Sequence, residues 1–326
     1  MSDAREVWDV IIIGAGPAGV SAALVLGRCR RRVLLCDRGT PRNSPSHAMH
    51  GFVSRDGIDP AAFRETVLQE LARYPGVHFR PEEATSAARL ANDRFSVTFA
   101  EGGEERARKL LLATGVTDVL PPVEGARELF GTAVFPCPYC DGWEFRDAPI
   151  AVYGQGTRAF EMARAMTAWS RDLIVFTNGR AQFSGSQRAA LEQNAVGIET
   201  ARIAELCGRD GRLESVRLVD GRTIPRRALF FDMPCESQSS LARSLGCELT
   251  AKGKVVCGRY EASTVPGVFA AGNILEDVQL AIVAAAEGAR AAFGINRALT
   301  REDFSYRAGG PIPFDHPGPG TAESSA

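Results

Sequence analysis

Two closely spaced cysteines are the residues in this sequence best suited to chemistry. Cys137 and Cys140 are separated by Pro138-Tyr139, and Asp141 follows directly. Two thiols at this spacing can form and break a disulfide, and in an α/β protein the pattern is typical of a redox dithiol. Asp141 could carry the proton that leaves or joins a thiolate. A pair of inert, buried thiols is the alternative.

The remaining cysteines do not form a second group of this kind. They are Cys29, Cys36, Cys207, Cys235, Cys247 and Cys257. A structural zinc site needs four ligands at close spacing, and the last three of these cysteines lie 12 and 10 positions apart, so we predict no metal site. Eight cysteines in 326 residues are too dilute for a disulfide scaffold. We expect most of them to be buried as small apolar thiols in a reducing compartment.

A glycine-rich turn near the start of the chain predicts a dinucleotide site. The apolar run Val7–Ile13 ends in the turn Gly14–Gly19, and a helical pattern follows. The three glycines of this turn have the spacing that lets a pyrophosphate approach the backbone at the start of a helix. Asp37 lies 23 positions after Gly14, where a carboxylate that binds a ribose is expected. The motif alone does not distinguish FAD from NAD, and a turn without a ligand is the alternative.

A second glycine-rich turn has the same spacing but lacks the acidic partner. The apolar run Pro149–Tyr153 ends in the turn Gly154–Ala159, and Thr177 lies 23 positions after Gly154. Neither a carboxylate for a ribose nor a cluster of arginines for a 2′-phosphate follows, and only Arg180 could reach such a phosphate. A Rossmann-like domain that has lost nucleotide binding is the alternative. The predicted second nucleotide site is weak and comprises Gly154, Gly156, Ala159 and Arg180.

Two units of strand, glycine turn, helix and strand must position these groups. Such units predict an α/β protein with two parallel-sheet domains, and 326 residues are enough for two. The sequence also predicts a helix over 60–74, a short strand over 254–257 and a long alanine-rich helix over 277–299. The last 20 or so residues contain little apolar content and predict a loose tail.

Composition excludes several classes of protein. The 38 basic and 39 acidic side chains give a net charge of −1, which argues against a nucleic-acid groove. The N-terminal residues lack the pattern of a signal peptide, so we expect none, and no apolar stretch approaches the roughly 18 residues of a membrane span. We therefore expect a cytoplasmic protein without nucleic-acid or membrane partners.

Five motifs in this order resemble the low-molecular-weight thioredoxin reductase family. They are GAGPAG at 14–19, ATG at 113–115, CPYCD at 137–141, GQGTRA at 154–159 and VFAAGN at 268–273. The resemblance implies two Rossmann-like, three-layer nucleotide-binding domains, the second inserted in the first. The FAD-binding domain would comprise 1–116 and 245–305, the NAD(P)-type domain with the CxxC pair 117–244, and a flexible tail 306–326. A homodimer is also implied.

The resemblance further implies roles for individual residues. Cys137 and Cys140 would exchange electrons with the flavin, and Asp141 matches the family's proton donor. The residues predicted to hold FAD are Gly14, Gly16, Pro17, Ala18, Gly19, Asp37, Arg38, Thr114, Gly115, Gly272, Asn273, Gln279 and Ala281.

Three departures from the family pattern bear on function. The family's Gly-Asp is Gly272-Asn273 here, its Arg-Gln-Ala is Gln279-Leu280-Ala281, and the basic segment that binds the 2′-phosphate of NADPH is absent after 172–177. The CPYC pair and the segment 43–57 are similar to the subgroup of holomycin- and gliotoxin-type dithiol oxidases, which close a disulfide in a small natural product and pass the electrons to oxygen.

Three functions follow from these features. We favour a dithiol oxidase that acts on a small-molecule dithiol with oxygen as acceptor. An NADPH-dependent reductase of a thioredoxin-like protein is the alternative, and a non-catalytic flavin redox sensor is a second alternative. His47 and His50 follow the Asp37 strand, and His50 is predicted to accept a proton from a substrate thiol. A solvent-facing loop histidine is the alternative at this position.

Overall fold

A computed structural model of the protein describes residues 7–91 and 93–307. Within these ranges the first and largest sheet has seven strands: β1 (Val7–Ile13), β2 (Val33–Cys36), β3 (Val77–Arg80), β4 (Ala84–Arg89), β5 (Phe95–Phe99), β6 (Glu104–Leu112) and β17 (Val268–Ala270). Their order is β3-β2-β1-β6-β5-β4, with β17 also paired to β6. Strands β4 and β5 are antiparallel to their neighbours, and the others are parallel. Val10–Ile13 are buried because both faces of the sheet are covered.

Four helices lie against this sheet or at its edges: α1 (Pro17–Arg28), α2 (Pro60–Leu71), α6 (Ser240–Ser244) and α7 (Ala281–Arg307). Helices α1 and α7 approach closely, since a Cβ on Gly288 would lie 2.0 Å from the Ala18 carbonyl oxygen. Helix α7 runs over Ala281–Arg307 rather than over the predicted 277–299, and the Asp277 carboxylate accepts the Val278 amide in the bend before it. Helix α2 ends at Leu71 rather than at the predicted Tyr74.

The second sheet has five parallel strands within the described ranges, in the order β11-β10-β9-β15-β8. They are β8 (Val134–Phe135), β9 (Ile150–Tyr153), β10 (Leu173–Phe176), β11 (Gly197–Glu199) and β15 (Ala228–Phe231). The helices of this part are α3 (Pro138–Asp141), α4 (Gly156–Met166) and α5 (Gly185–Gln193). Separate apolar clusters cover its two faces.

Two small antiparallel sheets complete the architecture. One contains β12 (Ile203–Arg209), β13 (Arg212–Leu218) and β14 (Thr223–Pro225), and the other pairs β7 (Val116–Asp118) with β16 (Cys235–Ser237). The chain leaves the first sheet through β7 and returns through β16, so this pair joins the two parts of the molecule.

The predicted α/β class with two Rossmann-like units is confirmed, whereas the domain boundaries stay a prediction. The predicted strand over 254–257 is wrong. Its amides bond to scattered acceptors, Val255 to the Ile274 carbonyl and Val256 to the Glu248 carbonyl, so only isolated bridges form. Nearly all of the predicted tail 306–326 lies outside the described residues. Among the described helices, none is long and apolar enough to cross a membrane.

Candidate active site

The first glycine turn forms a cradle in which two glycines are required by packing and one is not. A Cβ on Gly14 would lie 2.3 Å from the Ala113 carbonyl oxygen, and a Cβ on Gly19 would lie 1.8 Å from the Gly14 carbonyl oxygen. A Cβ on Gly16 would meet nothing within 4 Å. The open space at Gly16, beside the first turn of α1, is therefore available to a phosphate-bearing ligand.

Asp37 is fixed at the end of β2 beside this cradle. One carboxylate oxygen accepts the Ala15 amide at 2.7 Å, and the other accepts the Gly39 amide at 2.7 Å and the Arg64 guanidinium at 2.9 Å. Arg38 also lines the cleft, and its guanidinium is nearly half exposed and lies 3.8 Å from Glu83. Arg64 was missed at the sequence level, because nothing in the α2 pattern connects it with Asp37.

One cleft of about 1900 Å³ runs from the cradle to the cysteine pair. Sites for single small molecules commonly have volumes of roughly 300–1000 Å³, so this cleft is large enough for a dinucleotide together with a substrate. The predicted cofactor residues that line it are Gly14, Gly16, Pro17, Ala18, Asp37, Arg38, Thr114, Gly115, Gly272, Asn273, Gln279 and Ala281. Gly19 lies behind the cradle, where it allows α1 to approach β1. These residues fit FAD.

Cys137 and Cys140 are joined in a disulfide at the other end of the cleft. The helix that carries them, α3, is a single turn of four residues, and Cys137 caps it. The Cys140 amide donates a hydrogen bond to the Cys137 sulfur at 3.2 Å. Because one turn has only a small dipole, this amide is the main local group that stabilises a thiolate on Cys137.

Asp141 is the carboxyl group nearest the disulfide in sequence, and its environment changes its ionisation. The pKa of Asp141 is raised to about 7, chiefly by burial and also by the Glu144 carboxylate, while His50 opposes both effects. A carboxyl group with a pKa near the working pH can both accept and donate a proton.

The structure brings His50, but not His47, to this site. The His50 Nε2 atom lies 3.5 Å from a Glu144 carboxylate oxygen, and its Nδ1 atom lies 3.5 Å from Asp56. His50 lines the cleft with 23% of its side chain exposed, whereas His47 is exposed and does not line it. The interaction joins a loop that follows β2 to the short 3₁₀ turn after α3, and nothing in the sequence predicts that Glu144 takes part.

A polar network that sequence reasoning missed forms the wall of the cleft beside the β7–β16 pair. Arg42 makes a bidentate ion pair with Asp118, at 2.6 and 2.5 Å, and donates to the Gln279 side chain at 2.7 Å. The Lys254 ammonium donates to the Asn273 carbonyl at 2.6 Å and lies 3.8 Å from the Cys235 sulfur. The residues of this polar network come from distant segments of the chain, so no local motif could reveal the network.

Of the second glycine turn, Arg158 lines the cleft, whereas none of Gly154, Gly156, Ala159 and Arg180 does. The Gly156 amide donates to the Ala181 carbonyl at 3.0 Å. Thr177, which occupies the position equivalent to Asp37, is buried and its hydroxyl donates to the Gly179 carbonyl at 2.6 Å. Arg180 is exposed. The chain's own carbonyl thus takes an amide that a nucleotide phosphate would otherwise use.

The other cysteines vary more in burial than predicted. Cys36 and Cys247 are buried, and burial raises the pKa of Cys36 to about 12. Cys207, Cys235 and Cys257 are half-buried, and Cys29 is exposed at the end of α1. The expectation that most of these thiols are buried is therefore wrong, because several lie at strand edges and helix ends. Within residues 7–91 and 93–307, no cluster of His, Cys, Asp and Glu is suited to hold a metal ion.

Comparisons with known proteins agree with this geometry. The model of the family described as pyridine nucleotide-disulphide oxidoreductase matches residues 8–288. The thioredoxin reductase tcpT of Claviceps purpurea is 32% identical over 278 residues, which cover 82% of this chain and 87% of that protein. The crystal structure of HlmI has a TM-score of 0.89 at 36% identity, covering 93% of this chain and 95% of that chain. A putative thioredoxin reductase, TrxB, from Bacillus anthracis has a TM-score of 0.87 at 33% identity, covering 91% and 100%.

Proposed function

The chain belongs to the pyridine nucleotide-disulphide oxidoreductase family, and we propose that within it the protein is a dithiol oxidase for a small-molecule dithiol. It is an FAD-dependent disulfide oxidoreductase similar to thioredoxin reductases. In the proposed reaction one dithiol and one oxygen molecule give one cyclic disulfide and one hydrogen peroxide. Bound FAD supplies the two-electron acceptor that links the cysteine pair to oxygen.

The observation that carries this proposal is that the second glycine turn makes hydrogen bonds within the chain. A reductase that uses NADPH needs a nucleotide site there, with free amides at the start of α4 and a group for the ribose. Here the Gly156 amide is bonded to the Ala181 carbonyl, and Gln155 donates to the Thr177 carbonyl at 2.8 Å. Thr177 itself is buried. These contacts support an enzyme that takes its electrons from a dithiol rather than from NADPH.

The cysteine pair can perform the sulfur chemistry with the groups around it. A substrate thiolate attacks one sulfur of the Cys137–Cys140 disulfide and displaces the other as a thiolate. When the displaced sulfur is that of Cys137, the Cys140 amide already donates to it. The second substrate thiol then attacks the mixed disulfide, which closes the substrate disulfide and leaves the enzyme pair reduced.

Asp141 and His50 are proposed to move the protons of this exchange. The substrate loses two thiol protons, and a base is needed at each attack, because the thiolate is the nucleophile. Asp141, with its pKa raised to about 7 by burial, accepts a proton near neutral pH. His50 lies between Glu144 and the more exposed Asp56, so it can pass protons towards the solvent.

A second candidate function is the NADPH-dependent reduction of a thioredoxin-like protein. It is favoured by the names of the similar proteins and by two exposed rings beside the disulfide, Tyr139 at 72% and Trp143 at 64% exposure. Such a surface suits a protein partner as well as an apolar dithiol. This function would require NADPH to displace the Ala181 carbonyl from Gly156.

Oxygen consumption with a small dithiol tests the proposal. We expect dithiothreitol to drive oxygen uptake by the FAD-loaded enzyme, with one peroxide formed for each disulfide, and the Cys137→Ser variant to consume none while retaining FAD. Absence of uptake, together with turnover of a thioredoxin-like protein by NADPH, would overturn it. A homodimeric assembly and a cytoplasmic location stay predictions.

A further inference from the structure

Lys254 differs from the other lysines in its surroundings. The chain has three lysines: Lys109, Lys252 and Lys254. Lys109 pairs with Glu302 and Lys252 pairs with Glu276. Lys254 is only 5% exposed, yet in the described part of the chain its ammonium has a carbonyl oxygen and a thiol as partners and no carboxylate. A buried charge without a counter-charge is unfavourable unless another group compensates it.

The position of Lys254 indicates which group could compensate its buried positive charge. Its ammonium binds the carbonyl of Asn273, a residue on the cleft wall that the family resemblance assigns to FAD. Cys235 and Gln279 line the same wall, and the Gln279 amide also approaches the Cys235 sulfur, at 3.7 Å. The positive charge of the Lys254 ammonium therefore lies at the wall of the cleft that fits the cofactor.

The charged groups around Lys254 are paired with other residues or exposed to solvent. Arg42 is paired with Asp118, and Glu276, which is exposed, is paired with Lys252. Asp277 is exposed to solvent. Burial and the Arg42 guanidinium lower the pKa of Lys254, and the nearby Cys235 and Glu276 oppose these effects. At the position where the family has an aspartate, this chain has the neutral Asn273, so the wall carries one negative charge less than the family pattern implies.

We propose that Lys254 sets the reduction potential of the bound FAD, because its buried ammonium, with Asn273 in place of aspartate, favours the cofactor state that carries more negative charge. A positive charge beside a redox group stabilises its reduced form relative to its oxidised form. The role requires only that FAD is bound in this cleft. It holds whether the electrons come from a dithiol or from NADPH, so it goes beyond the proposed function.

The test is an equilibrium redox titration of the FAD-loaded enzyme against a reference dye. We expect Lys254→Met to lower the equilibrium constant for two-electron reduction by about tenfold, which is about 30 mV. Lys254→Arg keeps the charge, and Lys252→Met removes an exposed, paired charge two residues away; each should change the constant by less than about threefold. An unchanged potential in Lys254→Met, or an equal shift in Lys252→Met, would overturn the proposal.

A second variant keeps the proposal testable when Lys254→Met binds FAD poorly. Asn273→Asp retains Lys254 but adds a carboxylate to the residue whose main-chain carbonyl the ammonium binds, so the net charge of this wall of the cleft falls by one, as it does in Lys254→Met. We expect the equilibrium constant for two-electron reduction to fall by a similar factor, measured on the FAD-bound fraction after gel filtration. A potential that stays within threefold of wild type in this variant contradicts the role assigned to Lys254.

Discussion

Replacing Glu144 with Gln should move the pH dependence of dithiol turnover to lower pH. The pKa of Asp141 is about 7, raised first by burial and then by the Glu144 carboxylate. At pH 7 about half of the Asp141 side chains then carry a proton, whereas at an ordinary pKa about one in a thousand would. As a general base Asp141 acts when it is deprotonated, so kcat/KM should rise with pH through about 7.

The size of the expected change follows from the order of the two causes. Glu144→Gln removes a like charge that opposes ionisation of Asp141, so its pKa falls. Because burial is the larger cause, we expect the midpoint of the pH profile to fall by roughly 0.5 to 1 unit rather than to the value of an exposed carboxyl group. Substrate thiols ionise near pH 8.5, and this higher limb should stay in place.

The assay is kcat/KM for dithiothreitol oxidation between pH 5 and 9, followed by oxygen uptake. Glu161→Gln is the matched control, because Glu161 lies on α4 and pairs with Arg164 at the surface. Its profile should superimpose on that of the wild type. A Glu144→Gln profile with an unmoved or raised midpoint would refute the assignment of Asp141 as the titrating base.

Four further outcomes are expected. Cys137→Ser and Cys140→Ser should each retain FAD and lose turnover by at least about a thousandfold; turnover in either variant contradicts the sulfur chemistry. When the variant that keeps the attacked sulfur is mixed with a linear disulfide, its lone thiolate should displace one thiolate of that disulfide and form a mixed disulfide detectable by mass spectrometry. Gly16→Val should weaken FAD binding at least tenfold without lowering the Tm of the apoprotein, because its side chain enters open space. Gly19→Ala should instead destabilise the fold by about 2 kcal/mol or more, because its Cβ meets the Gly14 carbonyl; equal Tm values for the two variants contradict that distinction. Burial raises the pKa of Glu287 to about 7, so the folded state binds the Glu287 proton more tightly than the unfolded state does. The free energy of unfolding should therefore fall, by up to about 3 kcal/mol, as pH rises from about 4.5 to 7. Denaturant titrations at pH 5 and 8 should show a smaller fall for Glu287→Gln, and a fall equal to that of the wild type is the contrary result.

The sequence could predict those parts of the site that lie within one short segment of the chain. The turn Gly14–Gly19 follows a buried strand and begins a helix, so its spacing alone indicated the cradle. The Cys137–Cys140 pair was visible for the same reason. The apolar runs at β1 and β9 predicted buried parallel strands, because strands covered on both faces have no polar alternation.

The parts that could not be predicted depend on contacts between distant segments. His50 meets Glu144 across 94 positions of the sequence, and Lys254 meets Cys235 from a different element. The segment 254–257 has strand-like composition, yet its amides bond to different neighbours, so tertiary contacts decide its conformation rather than propensity. The single turn of α3 (Pro138–Asp141) was not predicted either, because four residues are too few to show a helical pattern.

Anaerobic stopped-flow reduction of the FAD-loaded enzyme tests the central claim most directly. The same enzyme is mixed with dithiothreitol in one experiment and with micromolar NADPH in another, and the FAD absorbance is followed. The closed second glycine turn predicts that the dithiol bleaches the absorbance stoichiometrically, whereas NADPH does so at least a hundredfold more slowly. Rapid stoichiometric bleaching by NADPH would contradict the account and would identify the enzyme as an NADPH-dependent reductase.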